Sequence, residues 1–297
     1  MALRGKKPEK KEKRLKLFVY GEAGVGKTLA ALDFPKSYII DTEKGTDFYS
    51  DTINKNESAV FQSCNPDEIK GEIKELLTSK HPYKTLVIDP ITQIYNACQD
   101  KWTRIFERHS NNPSAREIQD FGLRYWGKVK SDFKCIQRMI LNLDMNVIIT
   151  AHQKDKYGSN QSLVGVTFDS MKGDDYIFDY IFRIVHKARR RVALTAKERA
   201  EPGKNKFPEE FEWSYENFCK FYGDEIIERD AVPVPMASEE EVNKIDRLIG
   251  LLSIPDETIS KWYTKYNISN FNELTAKEIG KITEFLNKKV KELEEIK

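Results

Sequence analysis

The chain has little of the chemistry that small stapled or metal-bound proteins rely on. Its four cysteines, Cys64, Cys98, Cys135 and Cys219, are far apart with no C-x-x-C pair, and it has only four histidines. A disulfide framework and a zinc site are therefore excluded as organising principles. No apolar run approaches the ~18 residues that would span a bilayer, so no membrane association is expected. The N-terminus carries Lys6, Lys7, Lys10, Lys11, Lys13 and Arg14 without the apolar core of a signal peptide. These absences lead us to expect a soluble, cytoplasmic protein. An excess of one charge is lacking too: 49 Lys and Arg against 47 Asp and Glu leave a formal net charge of +2. Aromatic residues are not scarce, at 11%, and with 39% hydrophobic residues they suffice for a core, which argues against wholesale disorder. A length of 297 residues suits one large α/β domain with a small appendage.

The charge is unevenly spread. Residues 1 to 20 are strongly basic, and so is the stretch holding Arg183, Lys187, Arg189, Arg190, Arg191, Lys197, Arg199, Lys204 and Lys206, opposed only by Glu198 and Glu201. Such zones suit a polyanion, or are simply solvated faces.

Short apolar runs alternate with longer helical stretches from Leu15 to about Gly223. The runs are 15–20, 38–41, 59–62, 85–89, 146–150, 180–186 and 191–196. The first five are continuous rather than alternating, which predicts strands of a mainly parallel sheet buried on both faces. Phe121, Tyr125, Val129, Phe133, Ile136 and Ile140 fall at helical spacing and predict a long helix over about 114–143. Two prolines, Pro233 and Pro235, then interrupt regular structure. Beyond them Ser238 with Glu241, and Thr275 with Glu278, form S/T-x-x-E capping boxes that open helices. The expected organisation is a basic tail (1–14), an α/β core (15–230), a proline-containing linker (231–237) and a C-terminal helical domain (238–297).

Directly after the first predicted strand come Gly21, Glu22, Ala23, Gly24, Val25, Gly26, Lys27 and Thr28, a complete G-x-x-x-x-G-K-[ST] motif, followed by Leu29 in a helical stretch. Glycines let successive backbone N–H groups wrap phosphates, the lysine reaches the β- and γ-phosphates, and the threonine hydroxyl ligates Mg²⁺. ATP and Mg²⁺ are therefore the expected cofactors. A P-loop also needs a carboxylate for the metal's coordination shell, expected at the end of a buried strand next to the first. Asp89, closing Thr85–Asp89, is the preferred candidate, and Asp41, closing Tyr38–Asp41, is its rival.

Further landmarks carry a family resemblance. The segment from Tyr38 to Glu43 resembles the strand of RecA-like ATPases that ends in a catalytic glutamate. The segment from Asn146 to Gln153 is similar to their later strand, which ends in a γ-phosphate sensor. Asp33-Phe34-Pro35, Asp120-Phe121-Gly122 and Thr150-Ala151-His152 resemble the phage-encoded, single-domain RecA-like ATPases associated with single-strand-annealing recombination, over about residues 15–223. The resemblance implies Glu43 as water-activating base, and His152 or Gln153 as sensor. Lys197 and Arg199 are similar to the K-x-R element that such ATPases insert into a neighbour's site, which implies a homo-oligomer, filament or ring; a plain surface cluster is the alternative. Two polar segments, about 108–119 and 154–175, lie where recombinases contact single-stranded DNA. The second holds Lys154, Lys156, Tyr157, Phe168 and Lys172, though Asp155, Asp169, Asp174 and Asp175 dilute its charge, and a lid is the other reading. The implied function is a Mg²⁺-dependent ATPase acting on single-stranded DNA in phage recombination, annealing or replication, in the host cytoplasm. The alternative is an ATP-driven loader or switch whose protein partner, from recombination or replication, docks on 238–297. A small-molecule kinase is a third, more distant reading.

Overall fold

A computed structural model describes residues 13–109, 115–199, 206–268 and 270–294. It contains a nine-stranded sheet. In chain order the strands are β1 (Lys16–Gly21), β2 (Ser37–Asp41), β3 (Ala59–Gln62), β4 (Thr85–Asp89), β5 (Asn146–Tyr157), β6 (Leu163–Phe168), β7 (Tyr180–Lys187), β8 (Arg190–Glu198) and β9 (Glu210–Glu212). The spatial order is β3-β2-β4-β5-β1-β7-β8-β9, and β6 pairs with β5 alone. The pairs among β1 to β5, and β1 with β7, are parallel, while β7 with β8, β8 with β9 and β5 with β6 are antiparallel.

The fold class expected from the sequence, an α/β P-loop core with a mainly parallel sheet and a helical C-terminal region, is the one the structure has. β1 and β4 are buried along their whole length, as continuous apolar runs require. β3 departs from that expectation. It is the sheet's edge strand and is only half-buried, because a strand with one neighbour is covered less. Two strands escaped the sequence reading altogether. β6 lies in a stretch read as a polar segment, and β9 is three residues long with an acidic residue on either side of Phe211.

The chain divides into two compact units. One comprises the residues up to Gln62, Pro82–Thr92 and Met145–Ala231, and so holds the entire sheet. Helices α1 (Lys27–Leu32), α2 (Ser50–Lys55) and α6 (Tyr215–Tyr222) belong to it. Its core packs Leu17, Val19, Phe34, Phe182, Phe211, Trp213 and Phe218 together, with Phe182 edge-on to Phe211 and Trp213.

The second unit comprises Ser63–His81, Gln93–Asp144 and Val232–Lys297. It contains α3 (Pro66–Thr78), nearly all of α4 (Ile91–His109), α5 (Ala115–Asn142), α7 (Glu239–Leu251), α8 (Asp256–Tyr266) and α9 (Ala276–Glu294). The long predicted helix is α5, within a residue at each end. Both capping boxes are formed: the Ser238 hydroxyl accepts from Glu241 N–H, and that of Thr275 accepts from Glu278 N–H. Ile245, Leu274, Ile279 and Leu286 pack as the apolar cluster of the C-terminal helices. Arg138 of α5 donates to the Glu273 carbonyl and lies 3.6 Å from the Glu278 carboxylate. Val234 N–H donates to the Leu77 carbonyl at 2.7 Å. The proline-containing stretch is thus anchored to α3, and the C-terminal helices share their compact unit with α3 to α5.

Candidate functional site

The P-loop leaves the carboxyl end of β1, where the ligands of parallel sheets bind. Two of its glycines are required on steric grounds. A Cβ at Gly21 would lie 2.4 Å from the Ile184 carbonyl oxygen of β7. Gly26 has φ +85°, and a Cβ there would lie 2.7 Å from Cδ of Arg191. Val25 turns inward and joins the apolar core, while Glu22, Ala23 and Gly24 are exposed.

Lys27, the first residue of α1, folds back so that Nζ donates to the carbonyls of Gly21 at 3.1 Å and Glu22 at 2.7 Å. Burial lowers its pKa, and the charges of Asp89 and Glu43 oppose that fall. Asp89 is buried, which raises its pKa; the hydroxyls of Thr150 and Thr28 donate to it and work against that rise. One detail differs from expectation. The strand bearing Asp89 is not next to β1, because β5 is interposed, and Thr150 of β5 bridges the gap by donating to Asp89.

The rival carboxylate is committed elsewhere. Asp41 accepts from the backbone N–H groups of Glu43, Gly45 and Thr46 and from the Thr46 hydroxyl, fastening the 3-10 turn Gly45–Phe48. Burial alone would raise its pKa; the bonds from Thr46, Glu43 and Gly45 outweigh it, and the pKa lies below the ordinary 3.8. Asp41→Asn would set an amide N–H₂ against backbone donors, and is expected to cost about 2–3 kcal/mol in chemical denaturation at neutral pH. A folded-state pKa below the unfolded one gives stability that is complete above the unfolded value and lost as pH falls through the folded one. The gap between wild type and Asp41→Asn is therefore expected to close only below about pH 4. A gap that stays constant into acid would refute this account of Asp41.

Glu43 follows β2, and its carboxylate lies 3.1 Å from Nε2 of His152 at the sheet end of β5. The next residue, Gln153, donates from Nε2 to the Glu22 carboxylate at 3.4 Å and accepts from Nε of Arg183 at 2.9 Å. The two sensor candidates thus have different partners. A cavity of about 490 Å³ is lined by P-loop residues together with Asp41, Glu43, Asp89, His152 and Gln153. A second cavity, also about 490 Å³, shares Gly24, Lys27 and Thr28 and extends past Leu29 to Tyr49, His186, Arg191 and Trp213.

Strand register sorts the second basic zone by position. Tyr20 is level with Arg183, His186 pairs with Arg191, and Ile181 pairs with Lys197. Arg183 and Arg191 therefore lie at the P-loop end of the sheet, and Lys197 and Arg199 at the opposite end. Lys197 Nζ donates to the carbonyls of Asp175 and Phe178, and its pKa is lowered by burial and by Arg199. Arg199 bonds the Asp179 carboxylate at 3.1 Å and the Tyr176 carbonyl at 3.3 Å. Neither reaches the P-loop of its own chain.

The polar segment 154–175 proves to be largely a hairpin, the outer half of β5 paired with β6. Tyr157 on it is exposed. Phe168, which the sequence suggests as a stacking aromatic, instead packs on Phe18 and Tyr20, with ring centroids 4.7 and 5.9 Å away. Of the other segment, 108–119, residues 110–114 lie outside the described residues, and 115–119 open α5. Thr150, Arg183 and Arg191 escaped the sequence reading as site residues. Arg183 had a signal, as a lone charge inside an otherwise apolar strand run.

These features define a P-loop nucleotide-binding protein, and the sequence agrees. The pattern of the AAA domain family matches residues 13–207. The chain belongs to that family. No curated protein matches it. Among solved structures, the crystal structure of the RadB recombinase aligns with TM-score 0.37 and 18% identity, over 63% of this chain and 82% of that one. Among the described residues, no helix is long and apolar enough to cross a membrane.

Proposed function

We propose that the protein is a Mg²⁺-dependent ATP hydrolase that assembles with copies of itself and acts on single-stranded DNA in recombination, annealing or replication, in a phage-infected bacterial cytoplasm. The observation that carries the hydrolase reading is the gathering of Lys27, Thr28, Glu43 and Asp89 on one cavity at the P-loop. Thr28 and Asp89 fit a hard divalent cation, offering a hydroxyl and a buried carboxylate already in hydrogen-bond contact. Bound there, Mg²⁺ would neutralise phosphate charge. Lys27 would bind the β- and γ-phosphates, and the loop's N–H groups would wrap them. Glu43 would accept a proton from the attacking water, with His152 orienting its carboxylate, and Gln153 would sense the γ-phosphate. Tyr49, His186, Arg191 and Trp213 of the second cavity are planar or cationic groups suited to the base and ribose.

For DNA, the hairpin of β5 and β6 offers Lys154, Lys156 and Tyr157, a mixture of cations and a stacking ring. For assembly, Lys197 and Arg199 lie too far from their own P-loop to act in cis, which suits donation to a neighbour's site. Arg199→Ala is then expected to stay folded, since its ion pair with Asp179 is half exposed and worth under ~1 kcal/mol. It should bind ATP yet hydrolyse it poorly. Adding Lys27→Ala subunits, dead in their own site but retaining Arg199, should restore turnover in mixed assemblies. No rescue at high protein concentration would remove the trans role.

A second reading, a loader or switch acting on a protein partner, is favoured by exposed Leu251, Phe285 and Leu293 on the C-terminal helices. ATPase stimulation separates the two: single-stranded DNA should accelerate turnover under the first, and only a protein partner under the second.

A further inference from the structure

Arg183 is the one charged residue in the stretch of β7 between Ile181 and Val185, flanked by the fully buried Phe182 and Ile184. β7 and β5 lie on either side of β1, so Arg183 and Gln153 meet across the point where β1 gives way to the P-loop. Nε of Arg183 donates to Oε1 of Gln153 at 2.9 Å, and its NH2 lies 3.9 Å from the Glu22 carboxylate, which also accepts from Gln153 Nε2 at 3.4 Å.

A guanidinium has donors only, so the face of the Gln153 amide turned to it must be the oxygen. The amide N–H₂ is thereby turned to the phosphate loop. The opposite rotamer would present a carbonyl oxygen to the loop and repel an anionic phosphate. Lysine cannot substitute fully, because a single ammonium lacks the planar fork that reaches Gln153 and Glu22 together. We infer that Arg183 is a positioning residue that fixes the amide of Gln153 with its donor end toward the nucleotide's terminal phosphate. This rests on the reading of Gln153 as the γ-phosphate sensor.

The test is a double-mutant cycle in the full chain, measuring kcat, KM for ATP and affinity for ADP, which has no γ-phosphate. Gln153→Ala should lower kcat about 10- to 100-fold and erase the preference for ATP over ADP, with ADP affinity kept. Arg183→Ala should reproduce this pattern, and the double variant should be no worse than either single variant, within about twofold. Arg183→Lys should recover only part of the loss. If Gln153→Ala is silent, the sensor reading fails. If Gln153→Ala is impaired while Arg183→Ala is silent, or the two losses multiply, the sensor stands and the positioning role is overturned. Should Arg183→Ala lose ADP binding through misfolding, the decision passes to Arg183→Lys in the same cycle. With ADP affinity kept, wild-type turnover there, or a loss that multiplies with that of Gln153→Ala, overturns the inference.

Discussion

Replacing Lys27 with alanine is expected to abolish nucleotide turnover, with at least a hundredfold loss, and to weaken ATP binding sharply. Lys27 is the only side-chain cation within the P-loop motif, and its Nζ sits on the loop carbonyls of Gly21 and Glu22. Its charge also faces Asp89 and Glu43. Without it those carboxylates would repel one another and any incoming phosphate, so binding and catalysis should fail together. Titration with a fluorescent ATP analogue and a phosphate-release assay check both. Turnover at the wild-type rate would sink the assignment of the phosphate site.

Glu43→Gln should behave differently. Glutamine keeps the length of the side chain and a partner for His152 Nε2, so the loop after β2 should hold its shape and ATP affinity should be retained. The amide cannot take a proton from water, and turnover should fall by ~10² or more. The contrast is diagnostic: a binding residue moves affinity, a base moves rate. A parallel fall in affinity and rate would make Glu43 structural and place the base elsewhere.

Much of this protein is decided locally, and that part is legible in the sequence. Continuous apolar runs announce β1, β2 and β4, since strands buried on both faces need no polar alternation. The 3.6-residue spacing announces α5 almost to the residue, and Ser238 and Thr275 announce their helices because a cap acts within one turn. The glycine-rich loop, Lys27 and Thr28 are likewise a contiguous motif, whose chemistry is carried by eight neighbouring residues.

What depends on residues distant in sequence was not legible. From sequence, Asp41 and Asp89 both close apolar strands; only the folded chain shows Asp41 consumed by the donors of its own following turn, and Asp89 held by Thr150 from a strand inserted beside β1. The basic zone from Arg183 to Arg199 reads as one cluster, yet the register of the β7–β8 hairpin leaves Arg183 and Arg191 at the P-loop end of the strands and Lys197 and Arg199 toward the opposite end. A residue step of about 3.3 Å along each strand, reversed at Ala188 and Arg189, parts Lys197 from the P-loop while bringing Arg191 against Gly26. The pairing of Glu43 with His152 and of Gln153 with Arg183 follows from the strand order β2-β4-β5-β1-β7. That order is set by which apolar faces can be buried together over the whole chain, a property that no local stretch of sequence contains.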